Sequence, residues 1–113
     1  MECFSANSLL FISASVDMRK GVDGLSAHVL THLGRPLSIG ERYVLVNQTG
    51  TRLALLLYDN NGAMVFKRKL FKGGFSRIST PAVYALDIQE WSALCMGLQW
   101  QRFRAVANIS ILN

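Results

Sequence analysis

The chain has 113 residues, of which half are hydrophobic and 17% are charged, and this predicts one ordered domain spanning residues 1–113. It has no apolar run near the roughly 18 residues of a membrane span and no signal-peptide pattern, and Cys3 and Cys95 lack the spacing of a disulfide framework or zinc site. We therefore expect a cytoplasmic protein with no membrane partner and no cofactor, while a net charge of +5 favours nucleic acid as a partner.

The first predicted elements are a short buried strand from Ser8 to Ala14 and a helix that follows it. Asp17 is placed to cap this helix, and Gly34 is placed to end it in a left-handed conformation. Apolar residues at spacings of three and four form one face of the helix, namely Val22, Leu25, Val29 and Leu33. We expect this face to pack on a sheet.

A three-stranded antiparallel meander is predicted next. A strand from Tyr43 to Asn47 turns at Thr49-Gly50 into a second strand that starts at Arg52. Asn61-Gly62 predicts a two-residue hairpin loop into the third strand, because this dipeptide tolerates positive φ at both positions.

The predicted register gives the hairpin two different faces, with Tyr58 opposite Val65 and Leu56 opposite Lys67. The face predicted to pack in the core, which Arg68 interrupts, carries Leu53, Leu55, Leu57, Met64, Phe66 and Leu70. The face predicted to be wetter carries Arg52, Tyr58, Lys67, Lys69 and Phe71.

The C-terminal part is predicted to contain a second helix. Phe75 to Ile78 is a candidate edge strand before it, and Asp87 with Glu90 has the spacing of an acidic capping box. The apolar stripe of the helix is most simply core, with a docking surface as the alternative, and contains Ile88, Trp91, Leu94, Cys95 and Leu98. The pattern as a whole predicts an α+β fold, in which a small antiparallel sheet of three to five strands packs with a helix from the N-terminal half and a C-terminal helix.

Positive charge is concentrated in the hairpin region. Between Arg52 and Arg77, six basic residues accompany a single acid, so this stretch has a net charge of +5 and the rest of the chain is neutral. Cations interspersed with aromatic rings are typical of surfaces that bind phosphates and stack on bases. The candidate nucleic-acid-binding residues are Arg52, Tyr58, Lys67, Lys69, Lys72 and Arg77, together with Arg19 and Lys20. The alternative is a solvated face whose lysines protect a sheet edge from aggregation.

Catalytic and metal chemistry have little support in the sequence. His28 and His32 are spaced like a pair of metal ligands, but a third and a fourth ligand are not indicated. Asp17, Asp59 and either Asp87 or Glu90 are the candidates for a carboxylate set that holds two metals, yet each has a better local role in a helix cap or a turn. We therefore expect a protein that is not an enzyme and has no metal site.

Two passages of the sequence resemble a known family. They are Val16-Asp17-Met18-Arg19-Lys20-Gly21-Val22-Asp23-Gly24-Leu25 and the hairpin pattern Arg52-Leu53, Leu56-Leu57-Tyr58-Asp59, Gly62, Lys67-Arg68-Lys69-Leu70 and Gly74-Phe75. With Leu94, Gly97-Leu98 and Trp100, they make residues 8 to 100 similar to the TnpB-type accessory proteins encoded by the second reading frame of bacterial insertion sequences of the sixty-six family. Two positions depart from the family pattern. Ala54 stands where this family usually has lysine, and Ser76-Arg77-Ile78-Ser79 stands where it usually has a Trp-Pro pair.

The resemblance implies an accessory role in DNA transposition beside a separate, larger transposase that performs the strand chemistry. DNA and the transposase are the expected partners, and the hydrophobic composition makes a homo-oligomer a further expectation. The leading hypothesis is a non-catalytic accessory factor that contacts nucleic acid through the basic face of the hairpin. The alternative is an adaptor that binds the transposase or a second copy without touching DNA.

Overall fold

The computed structural model describes residues 9–71, 74 and 83–96. Within these residues the elements in chain order are β1 (Leu9–Ile12), α1 (Val22–Leu33), β2 (Arg42–Val46), β3 (Arg52–Asp59), β4 (Gly62–Lys69), β5 (Val83–Ala85) and α2 (Ile88–Cys95). The candidate edge strand from Phe75 to Ile78 and the tail 101–113 lie outside the described residues. No helix in the described part of the chain is long and apolar enough to cross a membrane.

The strands form one mixed sheet in the order β4-β3-β2-β1-β5. The predicted antiparallel meander is present as β2, β3 and β4, and β5 is antiparallel to β1. β1 and β2 are parallel because the chain between them crosses over the sheet as α1. The predicted α+β fold with two helices is confirmed, and the parallel pair makes the sheet mixed.

Helix α1 covers one face of the sheet and encloses a core with it. The predicted apolar face of α1 packs here, with Leu25 and Val29 fully buried. The sheet contributes Ile12, Tyr43, Leu45, Ala54 and Leu56. Ala54 and Leu56 lie on the side of β3 opposite to the face predicted as core. That side of the hairpin was expected to be exposed to solvent, and the expectation is wrong because both residues are fully buried. The crossover from β1 to β2 causes this difference, because it places α1 over that side.

Helix α2 covers the opposite face of the sheet. The core there contains Leu9, Phe11, Val44, Val46, Leu53, Leu86, Ala93 and Leu94. Trp91 packs against this core, as the simpler interpretation of the α2 stripe predicted, whereas Ile88 is 74% exposed. Met64 and Phe66 were predicted to be core residues, but they are 50% and 56% exposed. Both lie on β4, which has a neighbouring strand on only one side among the described strands.

Arg68, on the α2 side of the hairpin, bonds the end of helix α2. Its Nε donates a hydrogen bond of 2.9 Å to the carbonyl oxygen of Cys95, at the C-terminus of α2. Carbonyl groups at this end of a helix lack intrahelical partners and attract cations. Arg68 therefore stabilises the end of α2 from the neighbouring strand.

The predicted capping box of α2 is confirmed. The carboxylate of Asp87 accepts a hydrogen bond of 2.7 Å from the backbone N–H of Glu90, and the Glu90 carboxylate accepts one of 2.9 Å from the N–H of Asp87. We expect Asp87→Ala to lower the free energy of unfolding by about 1 kcal/mol, because it leaves a helix N–H without its acceptor. Urea denaturation measures this, with Asp87→Asn as the control that keeps an acceptor. An alanine variant as stable as the native protein would contradict the prediction.

The hairpin loop consists of Asn60 and Asn61, so the register is shifted by two residues from the predicted one. Asp59 fixes this loop, because its Oδ1 accepts hydrogen bonds from the N–H groups of Asn61 at 2.7 Å and Gly62 at 2.9 Å. No non-glycine residue in the described part of the chain has a positive φ. The carboxylate of Asp59 therefore replaces the positive-φ turn that Asn61-Gly62 predicted.

The shift changes the pairs across the hairpin but keeps the alternation of its faces. Leu56 lies opposite Val65, and Lys67 lies opposite Ala54, in place of the predicted pair of Leu56 with Lys67. Tyr58 lies opposite Ala63. An even shift leaves every side chain on its original side of the sheet.

Candidate nucleic-acid interface

A tight turn from Asp17 to Lys20 precedes α1. The Asp17 carboxylate accepts hydrogen bonds from the backbone N–H of Arg19 at 2.9 Å and from its Nη2 at 2.7 Å, and the N–H of Lys20 donates to the Asp17 carbonyl at 3.2 Å. Helix α1 begins at Val22. Its N-cap residue is Gly21, so no side chain at this position accepts a hydrogen bond from the first turn. The prediction that Asp17 caps the helix is therefore wrong, because its carboxylate closes the turn ahead of the helix.

The turn holds a guanidinium in a fixed direction. Hydrogen bonds from Arg19 lower the pKa of Asp17 to about 2, and the same pairing raises the pKa of Arg19. The Arg19 side chain is nevertheless 91% exposed. It is therefore oriented by Asp17 while it remains accessible to an anion.

Lys20 is positioned by a glycine of the helix. A Cβ atom added at Gly24 would lie 2.9 Å from the Cβ of Lys20, closer than real Cβ contacts come. The stem of Lys20 thus occupies the space that a side chain at position 24 would need. This packing explains why the first turn of α1 contains a glycine despite its low helix propensity.

Lys67 connects the hairpin to the turn. Its ammonium group donates hydrogen bonds to the carbonyl oxygens of Met18 at 2.7 Å and Lys20 at 3.2 Å. Hydrogen bonds from an ionised donor are stronger than neutral ones. Lys67 therefore fixes residues 17–20 beside the hairpin, and with them the cations Arg19 and Lys20.

We expect Lys67→Met to loosen this turn while it keeps the apolar stem of the side chain. The amides of residues 17–20 should exchange with deuterium faster, and the free energy of unfolding should fall by about 1 kcal/mol, since the lost bonds are partly exposed to solvent. Lys69→Met is the control, because no protein group bonds the Lys69 side chain among the described residues. Unchanged exchange at residues 17–20 in Lys67→Met would contradict the positioning role.

A groove of about 680 Å³ lies between this turn and the turn after β2. Residues 15–19 line one side, residues 47–49 line the other, and Arg52 lies beside them. The second turn is held by the Asn47 side chain, whose Oδ1 accepts from the Arg52 N–H at 2.9 Å and whose Nδ2 donates to the Thr51 hydroxyl at 3.0 Å. Both sides of the groove are therefore fixed by hydrogen bonds.

Arg52 and Lys69 are directly opposite each other on β3 and β4, and both are exposed. Like charges at opposed positions destabilise a strand pair unless something neutralises them. Among the described residues, no hydrogen bond or ion pair engages the side chains of Arg52, Lys69 or Lys20. Arg19 and Arg52 line the groove together with Asp17, and we call this groove with the neighbouring Lys20 and Lys69 the basic groove. Its four cations outnumber the single carboxylate, so the charge favours an anionic ligand.

The structure thus brings together five of the predicted site residues, namely Arg19, Lys20, Arg52, Lys67 and Lys69. Tyr58 is elsewhere, since its hydroxyl is hydrogen-bonded to that of Ser26 in α1 and it lies six residues from Arg52 along β3, or about 20 Å. Lys72 and Arg77 lie outside the described residues.

The two histidines of α1 bond backbone groups. The Nε2 of His28 lies 3.0 Å from the Ala14 carbonyl oxygen, and the Nδ1 of His32 lies 3.0 Å from the carbonyl oxygen of His28. Burial lowers the pKa of His28. In the described part of the chain, no group of three or more metal-ligating side chains includes them.

The sequence did not reveal that residues 47–49 form part of the groove. The turn 17–20 and the turn 47–50 follow the C-terminal ends of β1 and β2, and parallel strands bring these ends to one edge of a sheet, where ligands commonly bind. The backbone N–H of Val16 also donates to the carbonyl of Val46 at 3.1 Å. Recognising the parallel pair would have identified both sides of the groove.

Comparison with known proteins identifies the family. The family model for IS66 Orf2 like protein matches residues 7–105, which include the turn 17–20 and the hairpin. No curated protein and no solved structure matches the chain. The match covers most of the sequence and agrees with the resemblance carried by the turn and the hairpin. The chain therefore belongs to the IS66 Orf2-like family, the transposition-associated accessory proteins of IS66 insertion sequences.

Proposed function

We propose that this protein is a cytoplasmic, non-catalytic accessory factor that binds DNA through the basic groove during transposition. The observation that carries the proposal is the convergence of two distant segments at one edge of the sheet. Arg19 from the first turn and Arg52 from β3 line one groove, Lys20 follows Arg19 in the turn, and Lys69 lies opposite Arg52 on β4. Such a cluster favours a polyanion that can occupy several of its cations at once.

The cations have different roles in this proposal. Lys20, Arg52 and Lys69 contact phosphates, because they lack protein partners among the described residues. Arg19 presents its remaining donors to the same backbone while Asp17 holds it in place. Lys67 is a positioning residue, since its ammonium group is used on the carbonyls of Met18 and Lys20.

The non-catalytic assignment is supported by the local use of the acidic side chains. Asp17 closes the turn before α1, Asp59 fixes the hairpin loop, and Asp87 caps α2. These three carboxylates therefore act in separate elements. A metal-supplemented sample that nicks or joins DNA at a rate abolished by Asp59→Asn would overturn the assignment.

The salt dependence of DNA affinity tests the binding proposal. Four phosphate contacts predict that log K falls with log salt at a slope of about −3.6 on duplex DNA and about −2.8 on a single strand. Fluorescence anisotropy with labelled oligonucleotides from the ends of the element measures this slope. A protein that is folded but binds no DNA at about 50 mM salt would overturn the proposal.

A second candidate function is an adaptor that binds the transposase or a second copy of itself without touching DNA. The observation that favours it is exposed apolar surface on the α2 side, where Met64, Phe66, Ile88 and Met96 are each at least 50% exposed. Patches of this kind commonly mark protein interfaces. Size-exclusion chromatography with light scattering, with and without DNA, separates the two functions by reporting mass and DNA binding together.

A further inference from the structure

We propose that the basic groove selects unpaired DNA nucleotides over duplex DNA and that a base stacks on Phe71. This inference rests on the proposed DNA-binding function of the groove and adds the class of DNA that it binds. Phe71 is 92% exposed, more than any other large hydrophobic side chain in the described part of the chain. Single exposed apolar residues are common on protein surfaces. The inference therefore depends on the position of Phe71 and not on its exposure alone.

Leu70 and Gly74, which precede and follow Phe71 in the sequence, both lie against the turn beside the groove. The N–H of Leu70 donates to the carbonyl of Thr51 at 2.9 Å, which extends the β3–β4 ladder by one step. Gly74 approaches the same turn so closely that an added Cβ would lie 3.2 Å from the carbonyl oxygen of Gly50. The hydrogen bond of Leu70 therefore places the adjacent Phe71 next to the turn of residues 47–51.

Phe71 also follows closely after a cation of the basic groove along the chain. Phe71 is two residues beyond Lys69, whose partner across the strands is Arg52, and Arg52 lines the groove. An exposed ring beside unneutralised cations is the arrangement with which proteins bind single strands, since cations contact phosphates while rings stack on bases. In a duplex the faces of the bases are covered by their neighbours. A ring at this position therefore favours DNA with unpaired bases.

Affinities of Phe71→Leu for single-stranded and duplex DNA test the inference. The probe is a labelled oligonucleotide of about 12 nucleotides, alone or annealed to its complement. We expect the native protein to bind the single strand more tightly at equal salt. Phe71→Leu should weaken single-strand binding by about fivefold or more, the loss of one base–aromatic stack, and leave duplex affinity and the salt slope unchanged. Phe71→Trp, which keeps an aromatic ring, should retain the single-strand affinity of the native protein.

Phe66→Leu is the matched control, because it changes an exposed phenylalanine on the opposite face of the sheet. It should alter neither affinity. The inference is overturned if Phe71→Leu changes both affinities equally or changes neither, or if Phe66→Leu causes the same loss. Salt-dependent binding with no effect of Phe71→Leu would overturn this inference and leave the proposed DNA-binding function intact. Failure of the folded protein to bind either form of DNA would overturn the proposed function as well.

Discussion

Leu56→Ala should lower the free energy of unfolding by about 2–5 kcal/mol, the cost of emptying a buried leucine site. Leu56 is fully buried in the core between the sheet and α1. The surrounding strand positions are fixed by pairing on both sides of β3, so the cavity can collapse only in part. Urea denaturation of the purified protein gives the change.

Leu57→Ala is the control for this prediction, because it removes the same side chain from the next position on the opposite face. Leu57 is only half-buried and belongs to neither core. Its loss should therefore destabilise the protein clearly less than the loss of Leu56. A larger loss of stability in Leu57→Ala than in Leu56→Ala would indicate that the side of β3 with Leu56 is the one exposed to solvent. That result would contradict the packing of α1 on this side.

The double substitution Arg52→Gln, Lys69→Gln should weaken DNA binding roughly a hundredfold at about 50 mM salt, because two phosphate contacts are lost. The slope of log K against log salt on duplex DNA should become shallower by about 1.8. Stability should not fall, since the substitution also removes two like charges that face each other across the strands. Anisotropy titrations over a range of salt concentrations measure both quantities.

Arg35→Gln, compared with Arg52→Gln alone, controls for the loss of overall charge. Arg35 pairs with Glu41 at 2.6 Å before β2 begins, whereas the groove lies where β2 ends. Each variant removes one positive charge, but only Arg52→Gln should change the salt slope, by about 0.9. Equal effects of the two variants would indicate binding through net charge rather than through the groove.

The features that were predicted correctly depend on residues close together in sequence. The capping box of Asp87 and Glu90 and the left-handed end of α1 at Gly34 follow from spacings of a few residues. The hairpin was also identified, but Asn61-Gly62 gave the wrong register because the neighbouring Asp59 fixes a different loop. Two turn signals within four residues, Asp59 and Asn61-Gly62, thus compete, and Asp59 determines the register.

The faces of β3 illustrate what local alternation leaves open. The run from Leu53 to Leu57 is apolar at every position, which is typical of a strand covered on both sides. Lys67 and Lys69 on β4 predicted that one face of the hairpin is exposed to solvent. In the structure, Lys67 and the neighbouring Arg68 bond segments on opposite sides of the sheet. Their partners are 27 to 49 residues away in sequence, so no local pattern could reveal these roles.

The sequence named the cations of the basic groove as candidates but did not show its shape. Arg19 and Lys20 belong to a segment far from the hairpin in the sequence, and the parallel pairing of β1 and β2 brings their turn to the edge where the groove lies. The part of residues 47–49 in the groove and the place of Phe71 next to this turn emerge only from the fold. Long-range topology therefore converts two basic segments into one groove.

Hydrogen–deuterium exchange of the protein with and without DNA tests the location of binding most directly. The account predicts that DNA slows exchange in residues 17–20, 48–52 and 69–71, which surround the basic groove. Exchange in α2 and around Met64 and Phe66 should stay unchanged, because these residues lie on the other side of the sheet. Protection confined to α2 and the β4 residues Met64 and Phe66 would contradict the account.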